Sequence, residues 1–281
     1  MKRRATMKKG YILSFGLCCL AAIMMAASDG FAARFSYYGP GNLISGSGTG
    51  RVDYKVWFAG MRHPIELWPS YANSQVYRPG GMYGGGGGEC DSSNYSYPWR
   101  DNFCETRGYR TPLCPSGYGH QGQDIRPRAC RDNTYWAVAT ENGRITSIGS
   151  YSVYLQGDSG FRHTYLHLHE NSIAVYRGKY VKKGDRIGRV SDNFGSRCGG
   201  TDCTTVHLHY DLKSGGIIYP PYMSLIRAYE DLISNVFLMD TNYDGRHDRL
   251  QAYGNGNRET EYLVGDWDGD RRSNIAVRRW N

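Results

Sequence analysis

From about residue 104 to residue 215, apolar and polar positions alternate in short runs broken by turn residues. The runs include YWAVAT (135–140), RITSIG (144–149), YSVYLQ (151–156), RHTYLHL (162–168), VKKGDRIGRV (181–190) and TVHLHYDL (205–212). They are rich in β-branched and aromatic residues, and the interruptions (ENG, GDSG, RGKY) are hairpin-type turns. No 3.6-residue period is sustained there, so the pattern predicts a sheet of short antiparallel strands. One stretch differs: PYMSLIRAYEDLISN (221–235) sets Leu225, Tyr229, Leu232 and Ile233 on one side and predicts a helix.

On either side the pattern loosens. Residues 33–103 are polar, irregular and rich in Gly and Tyr, with one strand-like run at Tyr54–Phe58. GGMYGGGGGE (80–89) has the composition of a flexible connector. At the other end, residues 236–281 contain an internal repeat. DTNYDGRHD and DWDGDRRSN each place oxygen-bearing side chains at relative positions 1, 3, 5 and 9: Asp240, Asn242, Asp244 and Asp248, then Asp266, Asp268, Asp270 and Asn274. Alternate side chains of that kind can converge on a hard cation, so calcium is the candidate ion of this tail. Gln251 and Val277 stand where an EF-hand loop would carry its acidic residue, and two solvated acidic turns are the competing reading.

Residues 1–32 stand apart again. Lys2, Arg3, Arg4, Lys8 and Lys9 precede an apolar stretch from Tyr11 to Ala27, and Gly30-Phe31-Ala32 offers a cleavage site. This is the pattern of a secretory signal peptide, with a retained membrane anchor as its competitor. Five of the 34 basic residues and one of the 26 acidic ones lie in this leader, which leaves a formal charge of about +4. That suits an anionic envelope polymer and is too weak to argue for nucleic acid. A monomer without a retained span is expected, in the periplasm or outside the cell.

Of eight cysteines, six follow the leader: Cys90, Cys104, Cys114, Cys130, Cys198 and Cys203. An even count in an exported chain predicts disulfides rather than a thiolate metal site. Cys198–Cys203 would close a short loop, and Cys90–Cys104 with Cys114–Cys130 is the nearest-neighbour expectation for the rest.

The histidines change the picture most. His120 and Asp124 lie four apart in GHQGQDI, His167 lies in YLHL, and His207 and His209 lie two apart in a strand-like run. Period two puts both imidazoles of the last pair on one strand face, with Leu208 and Tyr210 on the other. Three adjacent strands would bring these groups together as a metal site. His63, His163, His169 and His247 are expected to be structural or surface residues.

The set GHQGQDI, YLHL followed by VKKGDRIGRV, and HLHYDL resembles the lysostaphin-like (LytM-type) zinc metallopeptidases of bacterial cell walls. It spans about 115–225. The resemblance implies a β-sandwich-like antiparallel core with a groove across the site. It also implies zinc ligation by His120, Asp124 and His209, with His167 and His207 as unligated catalytic histidines. Two imidazoles and a carboxylate leave zinc at a formal +1, enough to acidify water towards a pKa of about 7 and polarise a scissile carbonyl. No H-E-x-x-H helix supplies a glutamate base, so His167 and His207 are the candidates for base and oxyanion donor. CGGTDC (198–203) departs from the family's usual loop before His-x-His, and the family's groove tyrosine has no clear counterpart, Tyr118 being a weak candidate. GDWDGDRRSNIAV in the tail separately resembles the calcium loops of FG-GAP repeats, with Arg271 and Asn274 in place of the usual Gly and Asp.

The expectation is therefore a mainly β protein in four parts: leader 1–32, irregular segment 33–103, zinc peptidase domain 104–235 and a small β tail 236–281. Its activity would be the hydrolysis of peptide cross-links in peptidoglycan. The alternatives are a non-catalytic envelope protein or amidase activator of the same fold, and a secreted protease acting on glycine-rich proteins. In the latter case the glycine run at 84–88 could inhibit the site.

Overall fold

The computed structural model describes residues 35–195 and 204–233, together with the backbone of segments 236–239, 249–252, 260–265 and 274–279. The strands are β1 (Tyr71–Ala72), β2 (Gln123–Arg126), β3 (Trp136–Val138), β4 (Gly143–Ile148), β5 (Ser152–Gly157), β6 (Arg162–Leu166), β7 (Tyr180–Val181), β8 (Arg186–Arg189), β9 (Leu208–Ser214) and β10 (Ile217–Tyr219). Helix α1 (Tyr222–Ile233) follows. In the tail, β11 (Val236–Met239) pairs with β12 (Arg249–Ala252), and β13 (Thr260–Gly265) pairs with β14 (Asn274–Arg279), each antiparallel. The fold is mainly antiparallel β with one helix, as the pattern predicts.

The main sheet runs β1-β2-β9-β6-β5-β4-β7, with β10 hairpinned onto β9. Strand β9 is central to the chemistry because its register aligns Asp124 of β2 with His209 on one side and Leu166 of β6 with His209 on the other. Alternation does the sorting. Leu208, Tyr210 and Leu212 are fully buried, along with Tyr165 of β6 and Val153 and Leu155 of β5. The short β3–β8 pair adds Ala137 and Ile187 to the same apolar cluster, which gives the core a second layer. Each fully buried Leu or Ile of this kind contributes about 1.5–3 kcal/mol.

Residues 35–103 have little regular structure, yet they are built into this core. Ile65 and Trp99 are fully buried, and Met61 and Ala72 nearly so. Helix α1 clamps them in place. The Tyr229 ring packs 4.4 Å from Trp99, and its hydroxyl accepts a hydrogen bond from the Ser70 N–H at 3.1 Å. The expected strand at Tyr54–Phe58 does not form. Phe58 instead donates its N–H to Ser224 Oγ of the helix at 3.0 Å, and Trp57 stacks on Tyr219 at 4.3 Å. Those tertiary partners replace the ladder that a β-branched and aromatic run would otherwise seek.

The glycine run is only partly a free connector. Gly84 lies against the carbonyl of Arg78, where a Cβ would collide. The backbone carbonyl of Glu89, at the end of the run, accepts hydrogen bonds from Arg126 and Asn94. Gly84 and Gly87 serve close approach, whereas Gly85, Gly86 and Gly88 face open space, as a connector would.

The disulfides correct the nearest-neighbour expectation. Cys90 pairs with Cys130 and Cys104 with Cys114, nested rather than sequential. Cys104 faces Cys114 across a tight loop whose base is hydrogen-bonded to the His120 segment, so the local partner is Cys114 and not Cys90. Cys198 and Cys203 lie outside the described residues. So do Asp240, Asn242, Asp244, Asp248, Asp266, Asp268 and Asp270, along with the side chain of Asn274. Among the described residues no helix is long and apolar enough to cross a membrane.

Candidate metal centre

His120 reaches the site from the turn before β2. Its segment is held on both sides by residues just after Phe103: the Cys104 N–H donates to the His120 carbonyl at 3.0 Å, and the His120 N–H donates to the Glu105 carbonyl at 2.8 Å. The Cys104–Cys114 bridge staples the loop that makes those bonds. Asp124 lies within β2 and His209 opposite it on β9. Gly122, between His120 and Asp124 in sequence, lies where a Cβ would be 3.0 Å from His209 Nε2 and would collide with the Tyr210 carbonyl. The glycine inside GHQGQDI is thus a steric requirement of the neighbouring strand.

Three donor atoms converge. His120 Nε2 is 2.9 Å from His209 Nδ1 and 3.3 Å from Asp124 Oδ1, and His209 Nδ1 is 3.0 Å from Asp124 Oδ1. Tetrahedral zinc with bonds of about 2.0–2.1 Å sets its ligand atoms roughly 3.3 Å apart. His120, Asp124 and His209 could therefore hold such an ion with small adjustments. The tautomer of His120 agrees: its Nδ1–H donates to the Asn102 carbonyl at 3.0 Å, which leaves Nε2 free.

Asn102 was not legible as a site residue. Besides its carbonyl, its side-chain amide donates to Asp124 Oδ2 at 2.7 Å, and its Oδ1 accepts the Asp124 N–H at 3.1 Å. It orients both the imidazole and the carboxylate, and no motif surrounds it. Burial by itself would keep Asp124 protonated, yet the flanking His120 and His207 hold its carboxyl well below the usual range. For His120, burial opposes the charged form, but the adjacent Asp124 outweighs it and raises the imidazole. The cluster thus presents a carboxylate matched to positive charge.

His167 and His207 lie beside these three and face each other with ring centroids 4.3 Å apart. His207 Nε2 is 3.6 Å from Asp124 Oδ1. His167 lies one residue past β6 in the left-handed region, at φ 66°, so the strand expected through YLHL ends at Leu166 and turns this ring across the site. Both rings donate Nδ1–H to backbone carbonyls, His207 to Thr205 at 2.7 Å and His167 to Asn193 at 3.1 Å. Burial lowers both: His207 to about 4, and His167 well below 6.5 with help from the neighbouring His207 and His209 rings. Both are neutral near pH 7, with a bare Nε2 each.

The five residues line a cleft of about 470 Å³. Tyr118 is exposed and does not line it, whereas Tyr109 and Tyr154 do. Residues 84–88 do not line it either, although Gln75 and Val76 of the irregular segment do. His63 and His163 are fully buried structural residues, bonded to Ser70 and to Tyr210 and Glu141 respectively. His169 caps a short 3-10 turn. His247 lies outside the described residues.

Solved structures similar to this chain include a provisionally assigned glycyl-glycine endopeptidase LytM from Ruminococcus gnavus, at 28% identity and a TM-score of 0.36. The match covers 40% of this chain and 47% of that one, so this chain spans about half its length. The catalytic domain of the antimicrobial peptidase lysostaphin from Staphylococcus simulans is 23% identical over 48% of this chain and 94% of its own, with a TM-score of 0.35. The M23 metalloprotease pseudoalterin from the deep sea is 23% identical over 45% and 78%, with a TM-score of 0.32. No curated protein matches the chain. The model of peptidase family M23 matches residues 118–220, the stretch that runs from the turn carrying His120 to the strands after His209. The matched stretch carries all three motifs, so this part of the chain is similar to the LytM-type peptidases of family M23.

Proposed function

We propose that this protein is an exported zinc-dependent endopeptidase that hydrolyses peptide cross-links of peptidoglycan. The observation that carries the reading is the convergence of His120 Nε2, Asp124 Oδ1 and His209 Nδ1, with the two neutral rings of His167 and His207 beside them. His120, Asp124 and His209 would hold the zinc. The bound ion supplies Lewis acidity, polarising the scissile carbonyl and lowering the pKa of water.

The tautomers dictate the proton path. With Nδ1–H of both rings committed to backbone carbonyls, neither His167 nor His207 can donate from Nε2 until it has taken up a proton. The ring that accepts the proton of the attacking water therefore becomes the donor, first towards the oxyanion and then to the leaving nitrogen.

The test combines metal analysis with digestion. The purified protein should retain about one zinc per chain and release cross-linked muropeptides, and a chelator should abolish release. A folded, zinc-loaded protein that leaves every cross-link type uncut would overturn the proposal.

A further inference from the structure

The open face of the sheet continues past the metal centre. Period two along β9 places Asp211 and Lys213 on the same face as His209. Across the strand pair, Thr164 is in register with Asp211, and Arg162 with Lys213. All four line the same cleft as the five site residues, and Arg162 and Lys213 also border a smaller hollow of about 170 Å³ near Gly215.

This patch is chemically incomplete. Arg162 Nε and Asp211 Oδ1 are each buried without a hydrogen-bond partner, while the Asp211 carboxyl group interacts with Thr164 across the strand pair. Buried polar atoms are nearly always paired, and two orphans of opposite character on one wall of a cleft mark a place where a ligand supplies the partners. The Arg162 guanidinium lies over the Tyr154 ring, with its carbon 5.3 Å from the centroid. No carboxylate among the described residues forms an ion pair with Arg162 or Lys213.

We infer that Arg162, Thr164, Asp211 and Lys213 form a substrate subsite for a peptide residue carrying a free carboxylate. Arg162 and Lys213 bind the carboxylate, and Asp211 Oδ1 accepts an N–H of the same residue. Two cations favour an anion, whereas the lone buried acceptor calls for a donor, so a neutral apolar residue would leave the atoms unpaired. Distance fixes the position. Asp211 and Lys213 lie two and four residues along β9 from His209, roughly 7 and 14 Å at the rise of a strand. An extended peptide spans that distance in about two to four residues. The selected carboxylate is therefore two to four residues from the bond that is cut.

The inference rests on the peptidase reading, and its test separates the two. One batch of cross-linked muropeptides is divided, and the carboxyl groups of one half are converted to methylamides. The zinc-loaded full chain should cut the native half about tenfold faster, the effect of one charge-assisted contact. The Arg162→Gln/Lys213→Gln variant should cut both halves equally, at the wild-type rate for the amidated half, which also shows that it folds. Equal cutting by the wild type, or a preference that survives in the variant, overturns the subsite and leaves the peptidase intact. If the wild type cuts neither half, the peptidase reading fails. Calorimetric binding of the two halves then judges the subsite alone: tighter binding of the native half that the variant loses supports it, and equal binding overturns it.

Discussion

Asn102 carries more of the site's geometry than any residue outside the histidines and Asp124. Through its carbonyl and both ends of its amide it holds His120 and Asp124 in the orientation that points their donor atoms together. Asn102→Ala should weaken zinc binding about 10–100-fold, the usual cost of removing a group that orients a ligand. Competition with a chromogenic chelator measures this, and an unchanged affinity would refute the role. His167 and His207 should behave in the opposite way. His167→Ala or His207→Ala should lower kcat by about 10²–10⁴ while metal content stays near one per chain, because the proposed ligand group is His120, Asp124 and His209. Loss of zinc in either variant would show that the ligand set has been drawn too narrowly.

Among the elements, β9 makes the site possible by lying between β2 and β6, which sets Asp124 and His209 side by side and leaves His167 just beyond the neighbouring strand end. The two disulfides act on different parts of this arrangement. Cys90–Cys130 closes 40 residues and ties the glycine run to the exit of β2, whereas Cys104–Cys114 closes 10 residues and braces the segment paired with His120. Chain entropy gives about 4 kcal/mol for the longer bridge and about 3 kcal/mol for the shorter. Serine pairs should lower urea-unfolding stability in that order. Only Cys104→Ser/Cys114→Ser should also weaken zinc binding, because that loop anchors His120. An equal loss of affinity in both pairs would contradict the assignment.

For the molecule as a whole, residues 35–103 and the sheet share one core. Deleting residues 33–103 removes Ile65 and Trp99 from the interior and Asn102 from the site. The product should be insoluble or should bind a hydrophobic dye, and a well-folded, zinc-binding remainder would disprove this dependence. Acid should expose the same core. His63 is fully buried against Trp99 and Tyr229, and burial, reinforced by Arg62, holds its pKa well below 6.5. The unfolded chain therefore binds a proton that the folded one refuses. The stability from His63 is complete above about pH 6.5 and is lost as pH falls towards the folded value, at up to about 1.4 kcal/mol per pH unit. Asp101, whose carboxyl burial raises to about 6, works in the opposite sense as it takes up its proton. Comparing wild type with His63→Gln isolates the histidine, and the variant should lose less stability between pH 8 and pH 5. Parallel pH curves would assign the acid sensitivity elsewhere.

The sequence alone determined the strand-rich body, the helix at its end and the shared face of His207 and His209, while the grouping of the other site residues was implied by the resemblance of three motifs to one family. The first three rest on local periodicity, which depends only on the alternation of side chains along a strand or helix and is written into neighbouring residues. His207 and His209 share a face for that reason whatever surrounds them. Tertiary structure decided what depends on partners distant in the chain. It paired Cys90 with Cys130, turned Tyr54–Phe58 away from a ladder towards Ser224, and folded the glycine run against Arg78. It also placed Asn102 against Asp124, 22 residues away. None of these has a local signature, because the energy that selects them comes from satisfying buried polar groups and filling one core, and both are properties of the assembled chain.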